Sequence, residues 1–132
     1  MDKKLVHVKK FPIRWQDMDA FGHVNHTAYF LYTQEARFDM LIEKNIVIDP
    51  LGISPILAET SCKFIRPIIF PETLIIDSYL VKLDGKKTFF EHVIKSATKD
   101  NLIYATSSAT IVWFNFATKT SVAIPNWIMD IL

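Results

Sequence analysis

One segment, Thr27 to Lys44, limits the fold of this chain more than any other. It contains neither glycine nor proline and is dense in Ala, Leu, Met, Glu, Arg and Phe, so it reads as a helix of about five turns. Tyr29, Phe30, Leu31, Tyr32, Ala36, Phe38, Met40, Leu41 and Ile42 place apolar atoms on more than one of its sides, and such a helix has to be mostly buried. The remaining segments supply strands to bury it. Val6–Trp15, Ile56–Ile65, Thr73–Leu83, Thr88–Thr98 and Leu102–Phe116 each read as β, with Asp84-Gly85 a strong hairpin signal and Lys99-Asp100-Asn101 a second turn. Three consecutive long strands make a meander. A strongly curved antiparallel sheet around one buried helix satisfies both patterns.

At 132 residues the chain supports one domain, 1–132, with one core, and half its residues are apolar against 22% charged. Some of that apolar excess is expected to cover a subunit interface. Net charge is +1 with no basic tail or arginine cluster, so nothing calls for nucleic acid. The longest apolar stretch, Ile46 to Ala58, is broken by Asp49, Pro50, Gly52, Ser54 and Pro55, well short of a membrane span. A single cysteine, Cys62, and no apolar stretch after the N-terminal lysines point to a reducing cytoplasm. Cys62 lies in an apolar strand without a neighbouring base, so packing is its expected role.

Chemistry concentrates where the first strand gives way to the helix. The run Arg14-Trp-Gln-Asp17-Met-Asp19-Ala-Phe-Gly22-His23-Val24-Asn25-His26 gathers two carboxylates, two imidazoles and a glycine just ahead of the helix start, with Asn25 as a natural N-cap. The first N–H groups of a helix have no intrahelical acceptor and lie at its positive dipole end, so they can hold a carbonyl oxygen that becomes negative under nucleophilic attack. Asp19 is close enough in sequence for the loop to fold it over the same spot. A carboxylate beside oxyanion donors is a hydrolase arrangement. Asp, Gly and Asn are also ordinary turn residues, and spacing alone does not separate the two readings.

Asp17-Met-Asp19-Ala-Phe-Gly22-His23-Val24-Asn25-His26, followed by Tyr29 and Glu35-Ala36-Arg37, resembles the signature of the hotdog-fold acyl-CoA thioesterases related to 4-hydroxybenzoyl-CoA thioesterase. The resemblance implies an α+β hotdog fold and hydrolysis of an acyl-CoA thioester to a free acid and coenzyme A. By the same resemblance Asp19 is catalytic, as nucleophile or general base, Asp17 has a supporting role, and the oxyanion donor is the backbone N–H near His26. His26 departs from the doubled asparagine commoner in that family. His23, Val24, Asn25 and Tyr29 are expected to line the substrate. Arg66, Lys86 and Lys87, with Lys63, are the expected phosphate rim for the nucleotide end of coenzyme A.

Coenzyme A would be substrate, and no separate cofactor is expected. Asp19, His23 and His26 could in principle hold a metal, but no third imidazole or cysteine is near in sequence, so none is expected. His7 and His92, both in strands, read as structural or surface groups, and Glu35, Asp39 and Glu43 form an acidic line facing solvent or a partner chain. An open sheet edge favours pairing across a two-fold axis, so a homodimer or homotetramer is expected, with Glu59, Thr60 and Ser61 as weaker candidates from a partner strand. A thioesterase for acyl groups borne by acyl carrier protein is the nearest alternative. A noncatalytic acyl-CoA-binding module and a hotdog dehydratase are the others, and the Asp-x-Asp and Gly-His-Val-Asn arrangement argues against the last.

Overall fold

The computed structural model describes residues 3–100 and 102–132. In chain order it runs β1 (Lys4–Pro12), a 3₁₀ turn (Trp15–Asp17), α1 (His26–Glu43), β2 (Ile53–Phe64), β3 (Thr73–Asp84), β4 (Lys87–Ser96), β5 (Ile103–Asn115), β6 (Thr120–Ser121) and a short α2 (Asn126–Ile131). The five long strands form one antiparallel sheet in the order β1-β3-β4-β5-β2, with β6 paired to the end of β5. Each of the four ladders carries a register shift, at Leu5/His7, Leu57/Glu59, Leu80/Lys82 and Ile94/Lys95. Bulges of this kind bend a strand and strengthen its twist, which lets the sheet curl around α1. This is the hotdog architecture.

The expected elements are present with shifted ends. β1 stops at Pro12 instead of Trp15, because Arg14 turns the chain into the 3₁₀ turn. β2 begins at Ile53 and runs through Pro55, which a central strand would not accept; β2 is the sheet's outer edge, where a missing N–H costs little. The β3–β4 hairpin turns on Gly85 and Lys86 while Asp84 stays paired with Lys87, because Gly85 takes the left-handed backbone (φ +61°) at the first loop position. Lys99 and Asp100 lie in the second turn; Asn101 is outside the described residues.

The core divides into two apolar clusters along α1. One contains Met40, Leu41, Leu80, Phe90, Trp113 and Ile128; the other contains Tyr29, Tyr32, Ala36, Ile76, Ile94 and Ala105. Between them a row of polar residues crosses every long strand: His7 pairs with Ser78, Ser78 with His92, His92 with Ser107 and Ser107 with Cys62. Arg37 meets this row from the helix, its Nη1 donating to His92 Nε2 at 3.2 Å. His92 Nδ1 in turn donates to Ser78 Oγ at 2.8 Å. Burial first, then the nearby Arg37 charge, lowers the His92 pKa to about 3, so the ring is neutral and accepts from Arg37.

The acidic line of α1 is exposed at Glu35 and Glu43, and two of its members also contact β1. Asp39 Oδ2 lies 3.0 Å from His7 Nε2 and Glu43 Oε2 lies 2.9 Å from His7 Nδ1, tying the helix to β1. These three groups come close enough together to suggest a cation site. Exposed acidic groups commonly cluster in this way without an ion, and here the cluster ties the helix to β1.

Candidate active site

The loop between the 3₁₀ turn and α1 closes on itself before the helix begins. Met18 bridges to Val24, Asp19 N–H donates to the His23 carbonyl at 3.0 Å, and Gly22 N–H donates to the Asp19 carbonyl at 3.0 Å. Gly22 sits at φ +83°, a conformation that side-chain-bearing residues rarely adopt. The closed turn brings Asp19 back over the helix start. One carboxylate oxygen accepts from Phe21 N–H at 2.9 Å and the other from Asn25 Nδ2 at 3.2 Å.

Asn25 serves two neighbours at once. Its Oδ1 accepts from Thr27 N–H at 2.9 Å and from the Thr27 hydroxyl at 2.7 Å, which caps α1, while its Nδ2 holds Asp19. The side chain expected to line substrate is therefore occupied with positioning. His26, the first residue of α1, has a backbone N–H with no acceptor among the described residues, as expected of a first-turn donor.

The two aspartates of the pair differ in what surrounds them. Asp17 is enclosed: Tyr32 donates its hydroxyl at 2.7 Å, and Arg14 donates both N–H and Nη2 at 3.3 Å. Its own carbonyl accepts from Asn25 N–H at 2.9 Å. Burial, followed by the bond to Asp17, raises the Tyr32 pKa, so this phenol stays a donor at any ordinary pH. Asp17 is thus a structural post under the helix start, and Asp19 is the carboxylate left with fewer donors.

An open cleft of about 280 Å³ adjoins the helix start, lined by His23, Val24, His26, Tyr29, Phe64, Ile65, Arg66 and Pro67. Five residues expected at the site therefore line one cavity. Tyr29 is buried with its ring edge-on to Phe64 at 4.9 Å, and burial raises its pKa. The His26 ring is exposed and lies edge-on to Phe64 at 6.5 Å. Neither His23 nor His26 has a carboxylate partner among the described residues, so no hydrogen-bonded relay orients either imidazole. Arg66 is fixed at the cleft mouth, its Nη1 donating to the Ile103 carbonyl at 3.0 Å.

Lys86 and Lys87 do not join them. Lys87 pairs with Val112 of β5, whereas Phe64 at the cleft pairs with Ala105, seven residues of β5 apart or about 23 Å. The β3–β4 hairpin turns at the end of the sheet away from the helix start, so of the four expected cations Arg66 lines the cleft and Lys63 is nearby in the chain. Phe64, Ile65 and Pro67 were missed as cleft residues. Phe64 ends β2 and the other two follow it; the strand was legible, but its alignment with α1 was not.

The family model of the thioesterase-like superfamily matches residues 13–132. The chain belongs to that superfamily. It is a thioester hydrolase by class, and its hotdog sheet and helix are those of the family. Among curated proteins it is 25% identical over 114 residues to the long-chain acyl-CoA thioesterase FadM of Escherichia coli, covering 85% of this chain and 86% of that one. Among solved structures it matches the PA2801 protein of Pseudomonas aeruginosa at 28% identity with a TM-score of 0.90, covering 96% and 98% of the two chains. It also shares its fold with Slr0204, a 1,4-dihydroxy-2-naphthoyl-CoA thioesterase from Synechocystis, at 15% identity, 95% and 94% coverage and a TM-score of 0.86. Among the described residues no helix is long and apolar enough to cross a membrane.

Proposed function

We propose that the chain hydrolyses acyl-CoA thioesters, with Asp19 as nucleophile or general base and the His26 N–H as oxyanion donor. The observation that carries this reading is the Asp19 carboxylate, held by Asn25 beside a helix start whose first N–H has no acceptor among the described residues. The thioester carbonyl oxygen would accept from that N–H as charge develops on it. Asp19 would attack the carbonyl carbon, giving a mixed anhydride that water then cleaves, or would take a proton from an attacking water; in both routes coenzyme A leaves as the thiol. Both routes need the ionised carboxylate, so turnover falls toward acid pH. Tyr29, Val24 and Phe64 would flank the acyl group, and Arg66 would meet the phosphates.

The similarity to a long-chain acyl-CoA thioesterase supports coenzyme A as the carrier. Release of free coenzyme A from short, long and aryl acyl-CoAs tests the reading, with Asp19→Asn as control. The expected loss in that variant is at least about a hundredfold. An unchanged rate would remove Asp19 from the mechanism, and faster turnover of a carrier-protein thioester than of the matching CoA thioester would reassign the substrate. We further propose a homodimer, because the long edge strand β2 leaves its outer side unpaired and Leu31, Phe38 and Ile42 of α1 are exposed. Light scattering on the purified chain reads this directly.

A further inference from the structure

A second cavity, of about 120 Å³, lies at the other end of α1. Its inner wall is apolar, formed by Met40, Phe90, Trp113 and Ile128, while Phe38 and Leu57 are exposed at its mouth. A cavity of 150 Å³ holds a benzene ring, so this one suits a short alkyl or small aryl body. The polar exception in its buried wall is Arg37, which is 92% buried, its relative exposure being 8%.

Arg37 is an unusual wall residue. Among the described residues no carboxylate lies within ion-pair distance of it, and its hydrogen-bond partner there is the neutral His92, on Nη1. Every fully enclosed side-chain nitrogen among the described residues has a partner. Nε and Nη2, which have none, are consequently not fully enclosed, and Arg37 lines the cavity. A buried cation without a counter-ion is costly, and an anion placed against its free edge relieves that cost. Burial lowers the Arg37 pKa to about 10, which still leaves it charged at neutral pH.

We propose that this cavity binds a carboxylate on an apolar body, the carboxylate pairing with Nε and Nη2 of Arg37 and the body filling the space beside Met40, Trp113 and Ile128. The site is separate from the Asp19 cleft. His26 and Arg37 are about 16 Å apart along the helix rise, so a short acid reaches Arg37 only as a free molecule. A long acyl group ending in a second carboxylate is the other source of the same chemistry.

Calorimetric titration of the full chain with hexanoate, against its neutral analogue hexanamide, tests the site without requiring turnover. Hexanoate is expected to bind at least about tenfold more tightly than the amide. That preference disappears in Arg37→Gln, and Leu57→Trp, which blocks the mouth from an exposed position, abolishes binding. Should Arg37→Gln fail to fold, Leu57→Trp decides. Equal affinity for acid and amide, no saturable binding of hexanoate, or binding that survives Leu57→Trp would overturn the proposal. Hydrolysis of a long dicarboxylic mono-CoA thioester, compared with its monocarboxylic counterpart, separates the sources. A rise in KM in Leu57→Trp for the first alone identifies the carboxylate as a substrate's far end, and equal KM values leave a free acid as the ligand. Loss of the Asp19 reading would leave the binding result untouched.

Discussion

Asn25 joins the stability of α1 to the placement of Asp19, and two substitutions separate these roles. Asn25→Ala removes the cap bond to Thr27 N–H and the bond to the Asp19 carboxylate. Loss of the cap costs about 1 kcal/mol. The bond to a charged but half-buried acceptor at 3.2 Å adds about 1 kcal/mol more, at the low end for such bonds. The expected total is about 2 kcal/mol, a shift of roughly 1 M in the urea midpoint. Asn25→Ser restores a capping oxygen but supplies no amide to Asp19, so it should recover about half of the stability. Turnover should recover in neither variant, because a carboxylate displaced by about 1 Å loses about a hundredfold in rate. Urea unfolding and kcat on one acyl-CoA substrate, measured on all three proteins, give both readouts. If Asn25→Ser restored turnover along with stability, the bond from Asn25 to Asp19 would have no catalytic consequence and the positioning argument would fail.

His92 makes stability depend on pH. Its folded pKa of about 3 lies below the ordinary value of 6.5, so the unfolded chain binds the extra proton; the stabilisation is complete above pH 6.5 and is lost as pH falls toward 3. About 2 kcal/mol should be gone by pH 5, and His92→Gln, which can keep an acceptor for Arg37 and a donor for Ser78, should flatten that part of a stability-against-pH curve. Tyr32→Phe leaves the ring packed against Phe11 at 5.1 Å but deprives Asp17 of a donor, and urea unfolding should register a loss of about 2 kcal/mol. Arg66→Ala should raise KM for an acyl-CoA several-fold at low salt with kcat nearly unchanged, and the difference should shrink as ionic strength screens the phosphate contact.

The fold was legible because its signals are local. A helix without Gly or Pro, a Gly-containing hairpin and alternating strands need no knowledge of distant residues. Errors arose where context overrode a local rule. By local rules Pro55 precedes the strand, and only the edge position of β2 makes it acceptable inside one. Glu35, Asp39 and Glu43 share a helix face, yet two of them serve His7, an assignment that depends on where β1 lies against α1.

The candidate site divides the same way. Asp19, Asn25 and His26 lie within eight residues, so the turn that brings them together is written into Asp, Gly and Asn at their own positions. Phe64 and Arg66 reach the cleft through the β2–β5 register, and Lys86 and Lys87 are excluded from it by the β3–β4 turn. Basic character groups the three cations in the sequence, with Arg66 favoured only for its bidentate geometry; strand length separates them. Arg37 is the stronger case. Within its helix it is one more good helix former beside Glu35 and Ala36, and its neutral partner His92 is 55 residues away. The two were connected by no spacing rule, because the polar row that crosses the sheet from His7 to Cys62 exists only once four strand registers are fixed. That row keeps the two apolar clusters apart, so α1 presents different chemistry at its two ends: the free His26 N–H beside a carboxylate at the start, and, about 16 Å further along, a guanidinium lining an apolar cavity without a counter-ion among the described residues.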